Sequence, residues 1–127
     1  MLDLEGLFQK LLSEFTYDDA RMVGKVPYFW ETDQQLLEEM KVGHVDGICA
    51  TFALMSRLAL DEVKVANTLL VCTVETGELH LVCSVNGTIF DNRQKTLMTN
   101  TSLEEMGYVF LVESSEVKGG PWYSIVK

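Results

Sequence analysis

The chain is short of positive charge. Ten lysines and arginines face nineteen aspartates and glutamates, for a formal net charge of −9. Such a surface repels phosphate backbones and anionic lipid headgroups, so nucleic-acid and membrane partners are not expected. There is no apolar run approaching the ~20 residues that cross a bilayer. The opening residues Met1-Leu2-Asp3-Leu4-Glu5 lack the basic start and continuous apolar stretch of a secretory leader, which predicts a cytoplasmic protein or one that leaves the cell by another route. Two histidines and three cysteines show no short paired spacing of the CxxC or HxxxH kind, so neither a metal site nor a cofactor is expected. In a reducing compartment the three cysteines would be free thiols. Two prolines and nine glycines in 127 residues exclude a low-complexity chain, and a hydrophobic share of 47% excludes a disordered one. What remains is a single domain, residues 1–127, large enough to bury a core without staples.

Helical signals come first along the chain. Leu4, Leu7, Phe8, Leu11, Leu12 and Phe15 form an apolar stripe over Leu2 to Phe15, and Thr16-Tyr17-Asp18-Asp19 interrupts it. Gly24 and Pro27 mark a loop. Thr32 or Asp33 can cap a short helix from Gln34 to Lys41 that ends at Gly43. Gly47 sits in a turn before a third helix, Cys49 to Leu60, which is apolar nearly all round, with Arg57 its charged exception. Such a helix belongs at the centre of a fold.

Strand signals follow. Thr68 to Glu75, Glu78 to Val85 and Thr88 to Asp91 are rich in β-branched and apolar residues. Thr76-Gly77 and Asn86-Gly87 separate them as hairpin turns. Met98 to Glu105 reads as loop with a helical turn begun at Thr101 or Ser102. Tyr108 to Glu113 and Trp122 to Val126 are two more strands, parted by Lys118-Gly119-Gly120-Pro121. Helices followed by strands predict an α+β domain with a central helix packed on an antiparallel sheet.

The residues that carry chemistry are Cys49, His80 and Asp91. Cys49 opens the central helix, where the unpaired N–H groups and the partial positive charge of a helix N-terminus stabilise a thiolate and can hold an oxyanion. The alternative is a small buried hydrophobe, the common fate of a free cysteine. Two-residue turns at Thr76-Gly77 and Asn86-Gly87 would pair Thr73 with His80 and Val82 with Asp91. On that register His80, Val82, Asp91, Thr73 and Val71 share one face. Cys72 and Cys83 lie on the other with Leu70, Leu79, Leu81 and Phe90, away from His80. A bulge between the turns would shift the register by one. Asp91 is then diagonal to His80, roughly 7–8 Å away between backbones, within reach of a His–carboxylate hydrogen bond. That bond fixes the imidazole tautomer and frees the other ring nitrogen to take a thiol proton. A core histidine pinned by an incidental aspartate is the competing reading. His44, in the loop before Cys49, is a second candidate base, with a solvated surface residue as its alternative.

These residues sit in segments with a family likeness. Tyr28-Phe29-Trp30-Glu31-Thr32-Asp33-Gln34-Gln35-Leu36 and Gly47-Ile48-Cys49-Ala50-Thr51-Phe52-Ala53 resemble the bacterial transglutaminase-like cysteine proteinases. So do Gly77-Glu78-Leu79-His80-Leu81-Val82 and Thr88-Ile89-Phe90-Asp91-Asn92. The likeness runs from about Tyr28 to Asn92, half the chain. It implies a papain-like fold in which Cys49 is the nucleophile, His80 the general base and acid, and Asp91 the orienter, with Asn92 in support. Trp30 is a candidate for the second oxyanion donor, with packing as its alternative. Members that cleave surface adhesins carry acidic residues beside the cysteine that help bind calcium. Here Ile48, Ala50 and Thr51 stand there, so no calcium is expected at those positions. Compact versions of the fold in phage genomes suggest, by analogy, a phage-encoded protein acting in the host cytoplasm.

The function expected is a cysteine-dependent hydrolase of peptide or side-chain amides, acting through a thioester on a protein or peptide substrate. The same triad could instead serve a transamidase or deamidase. A binding or inhibitory module on a retired version of the fold is the alternative from outside enzymology. The sequence carries no sign of oligomeric state.

Overall fold

A computed structural model describes residues 3–18, 33–117 and 120–125. The expected loop at Gly24 and Pro27, the Tyr28–Thr32 segment with Trp30, and the Thr32 cap lie outside the described residues. Helix α1 spans Leu4–Glu14 and starts where Asp3 accepts the Gly6 N–H at 3.0 Å. It buries Phe8 and Leu11 on the expected stripe. The helix ends close to the expected break, with Phe15 as its C-cap. Phe15–Tyr17 form a short strand, β1, parallel to β2 (Val45–Gly47), so the segment expected as a turn before Cys49 is extended and hydrogen-bonded. Helix α2 covers Asp33–Val42 and stops at Gly43.

Helix α3, Cys49–Glu62, is the central element that its apolar surface predicts. Phe52, Ala53, Met55, Leu60 and even Arg57 are buried. Arg57 Nη1 donates to Ser114 Oγ at 3.0 Å and Nη2 to the carbonyls of Ser115 and Glu116 at 3.1 and 2.8 Å, tying the helix to the end of a strand, while its buried Nε has no hydrogen-bond partner among the described residues. Phe8 meets Phe52 and Phe90 edge to face, with centroids 6.0 and 5.5 Å apart, and fixes α1 and α3 against the sheet.

Among the described residues that sheet has six strands in the order β6-β5-β4-β3-β7-β8. They are β3 (Thr68–Thr73), β4 (Leu79–Val85), β5 (Thr88–Phe90), β6 (Met98–Thr99), β7 (Val109–Ser114) and β8 (Trp122–Ser124). All neighbours within it are antiparallel. Between β6 and β7, helix α4 (Asn100–Glu105) is capped by Thr99, two residues before Thr101 and three before Ser102, the expected starts. One face of the sheet, with Leu69, Cys83 and Phe90, packs on α1 and α3. The other, with Leu70, Cys72, Val82 and Ile89, packs on Leu103 and Tyr108.

The β4–β5 hairpin has the expected register, Val85 opposite Thr88, through a turn in which Asn86 and Gly87 both take positive φ. The β3–β4 hairpin does not. Val74 donates to Glu78 O at 3.0 Å, and Gly77 adopts φ +87, so the loop holds three residues rather than two. The register moves by one, and Cys72 rather than Thr73 stands opposite His80. Cys72 and Leu70 therefore share the His80 face, and Val71 and Thr73 leave it. The expectation that Cys72 lies away from His80 is corrected. Cys83, opposite Leu69, stays on the helix side as expected.

Candidate active site

Cys49 is the first residue of α3, and the local chain explains why it is held there. Ile48 precedes the helix in extended conformation, and its N–H donates to Thr51 Oγ1 at 3.2 Å, closing the first turn. Gly47 passes so close to Thr51 that a Cβ at position 47 would collide with the Thr51 side chain. The β2 strand thus leads directly into the helix with Cys49 at its mouth, half-buried.

On the other side of the site, β5 pairs with β4 only over Cys83–Val85. Among the described residues no strand flanks Leu79–Val82 on that side. Cys49 meets β4 at this open stretch. Its sulfur contacts the His80 imidazole and is reached by the main-chain N–H of Leu81 and of Ala50, the next residue of its own helix. Burial alone would push the Cys49 thiol up. The hydrogen bond and positive charge of His80, with those two N–H groups, outweigh it and lower the thiol from its ordinary 9.0.

His80 is 6% exposed and Asp91 1% exposed. His80 Nε2 meets Asp91 Oδ1 at 2.7 Å, which leaves Nδ1 for Cys49. Burial would lower the imidazole, but hydrogen bonds to Asp91 and Cys49, and their negative charge, hold it up at about 9. Asp91 is likewise penalised by burial, yet His80, the Arg93 N–H (2.9 Å to Oδ1) and the Tyr108 hydroxyl (2.7 Å to Oδ2) depress its carboxyl. Imidazole and carboxylate share a short buried hydrogen bond, and the sulfur acts on the same ring. The shifts of Cys49 and His80 both run toward a thiolate–imidazolium pair, and such a pair can attack a carbonyl carbon and return a proton to a leaving group.

The three residues singled out in the sequence are brought together. The others are not. His44 pairs with Asp46 at 2.8 Å on the surface, its side chain 58% exposed. Asn92 Oδ1 is buried and finds no hydrogen-bond partner among the described residues. Trp30 lies outside them. Tyr108, Arg93 and Gln94 surround Asp91 without having been anticipated, because they reach it through the fold and not through any local motif. A tyrosine just after Gly107 at the start of an apolar strand was the available signal for one of them.

Beside Cys49, Ile48 and Ala50 offer no side-chain oxygen, Thr51 Oγ1 is already an acceptor for Ile48, and Asp46 is held by His44. Among the described residues no three His, Cys, Asp or Glu side chains cluster as metal ligands. No helix among them is long and apolar enough to cross a membrane.

No family model matches the chain, and no curated protein matches it by sequence. Solved structures do match. LapG of Legionella pneumophila superposes with a TM-score of 0.67 at 15% identity, over 93% of this chain and 67% of LapG. Its calcium-bound form gives 0.68 over the same shares, and its EGTA-treated form 0.65 over 94% and 66%. At this identity the likeness shows a shared fold. The architecture is the papain-like, transglutaminase-like α+β fold, with a cysteine-bearing helix on an antiparallel sheet.

Proposed function

We propose that the chain is a cysteine-dependent amide hydrolase, a peptidase or side-chain amidase acting on a protein or peptide. The observation that carries this is the buried 2.7 Å bond between His80 and Asp91, with the Cys49 thiol lowered by the same imidazole. Cys49 is the nucleophile, His80 the general base and acid, and Asp91 the orienter. The likeness to LapG supports the same reading, since that fold carries a cysteine protease.

The thiol proton resides on His80 Nδ1 before substrate arrives. The Cys49 sulfur attacks the amide carbon, and the carbonyl oxygen gains a negative charge that the N–H groups at the start of α3 can meet. When the tetrahedral adduct collapses, the C–N bond breaks and His80 gives its proton to the departing amine, leaving a thioester on Cys49. Water then attacks the thioester, giving one proton to neutral His80. The C–S bond breaks, the carboxylic acid leaves, and the thiolate–imidazolium pair is restored. Asp91 stays ionised throughout and stabilises the imidazolium in each half-reaction.

Site-resolved alkylation of folded protein tests the reading. Cys49 is expected to react with iodoacetamide well below pH 9.0, and His80→Ala to slow it about tenfold or more in that range. A Cys49 that reacts as an ordinary thiol in the wild type, or is indifferent to His80→Ala, would sink the proposal.

A further inference from the structure

Behind Asp91 lies a second layer of hydrogen bonds that the hydrolytic reading does not use. Asp91 Oδ2 accepts the Tyr108 hydroxyl at 2.7 Å. The Tyr108 oxygen in turn accepts Arg93 Nη1 at 2.9 Å and Gln94 Nε2 at 3.3 Å. A hydroxyl has one proton and two acceptor sites. With both sites taken by N–H groups, its proton is directed at Asp91. The guanidinium is itself fixed. It holds Glu75, on the β3–β4 turn, through two bonds of 2.6 and 3.1 Å, and it lies 5.6 Å from the Tyr108 ring centroid. Gly107, at φ +104, lets the chain rest on that turn, because a Cβ there would come within 3.0 Å of Glu75 Cβ.

We propose that Tyr108 and Arg93 are positioning residues for the Cys49 reaction, with Tyr108 holding Asp91 against His80 and Arg93 holding Tyr108. The inference rests on the hydrolase reading above. Asp91 has a donor on each oxygen, His80 and the Arg93 N–H on Oδ1 and Tyr108 on Oδ2, and three donors pin both the rotation of the carboxylate and its ionised form. The titratable groups that face it are His80 from β4, Cys49 from α3, Cys72 from β3, Tyr108 at the head of β7 and Arg93 beside it, with Glu75 behind Arg93. The arrangement ends at the surface, where the Glu75 side chain is 46% exposed.

Tyr108 is 2% exposed, and its ring also packs near His80 and Phe110, so its burial alone could serve the core. Tyr108→Phe separates the two roles, since it keeps the ring and removes only the hydroxyl. On the acid limb the Cys49 sulfur takes up a proton, and where that limb falls depends on Asp91 holding the His80 ring against the sulfur. Removing the Tyr108 donor frees the carboxylate to turn and weakens that hold, so the acid limb of Cys49 alkylation should move to higher pH, by about one unit. Arg93→Gln, which keeps the Arg93 main-chain N–H on Asp91, should move it the same way by less.

The experiment is the pH profile of iodoacetamide labelling at Cys49 in the wild type and both variants, with thermal melts beside it. A merely structural Tyr108 lowers the melting temperature and leaves the acid limb where it was; that result overturns the inference and spares the hydrolase reading. If the wild type shows no fast Cys49 labelling, both fall together. If Tyr108→Phe does not fold, Arg93→Gln decides, and an unmoved limb there overturns the inference.

Discussion

Cys72 lies directly across the β3–β4 ladder from His80, and its Sγ donates to the His80 main-chain oxygen at 3.6 Å. Two thiols thus adjoin one imidazole strand, and only one of them touches the ring. Cys72 is fully buried, and burial together with the negative charges of Asp91 and Cys49 pushes its thiol up to about 12. Cys83, also fully buried, is pushed by burial to about 12. At neutral pH iodoacetamide should therefore label Cys49 and leave Cys72 and Cys83 untouched until denaturant opens the sheet. Peptide mapping before and after denaturation checks this. Labelling of Cys72 at a rate near that of Cys49 would contradict the packing described.

The pH dependence of stability carries the signature of the thiolate–imidazolium pair. His80, raised from 6.5 to about 9, contributes fully below 6.5 and loses that contribution as pH rises through about 9. Cys49, lowered from 9.0, contributes above 9.0 and loses that contribution as pH falls through its lowered value. Between 6.5 and 9.0 the two contributions oppose each other, since folded His80 keeps a proton that the unfolded ring sheds and folded Cys49 sheds one that the unfolded thiol keeps. Stability from this pair should therefore change less with pH in that window than above it. Above 9.0 Cys72 and Cys83, held near 12, cost stability as pH rises, because the unfolded thiols ionise and the folded ones do not. Denaturant titrations at stepped pH should show a shallow stretch followed by a steeper alkaline decline. A slope as steep within the window as above it would mean that the two contributions do not oppose each other.

Gly47 sets the entry of α3. Gly47→Ala drives a methyl into the Thr51 side chain, which is 1% exposed and has no room to retreat. The expected cost is ~1–3 kcal/mol, and Cys49 labelling should slow as the first turn shifts. Adding Thr51→Ala should recover part of the labelling rate, since it removes the obstacle. Equal stability of Gly47→Ala and the wild type in a urea titration would show that β2 and α3 meet less closely than described.

Much of the site was legible because the relevant signals are local. A break at Gly47-Ile48 before a nearly all-apolar stretch places Cys49 at a helix start. Asn86-Gly87 enforces a two-residue turn through positive φ at both positions, and that single turn puts Asp91 diagonal to His80. The Thr76-Gly77 turn failed as a guide because one glycine at positive φ closes a two-residue or a three-residue loop equally well. The choice fell to the long-range pairing of β3 with β4. Tyr108 and Glu75, 17 and 16 residues from Asp91, had no local pattern to announce them.

The sequence by itself determined the main helices and the longer strands, their α+β order, and which cysteine stands at a helix mouth and which histidine stands in a strand. The short strands at Phe15–Tyr17, Val45–Gly47 and Met98–Thr99 escaped it. What it determined follows from periodicity and turn chemistry, which act over a few residues. Only the tertiary structure decided that Cys72 shares the face of His80. It also decided that the open stretch of β4 receives the start of α3, and that Tyr108 and Arg93 close around Asp91. Those are contacts between segments far apart in the chain. They are selected when buried polar groups must find partners and when a sheet settles the register that buries its apolar face.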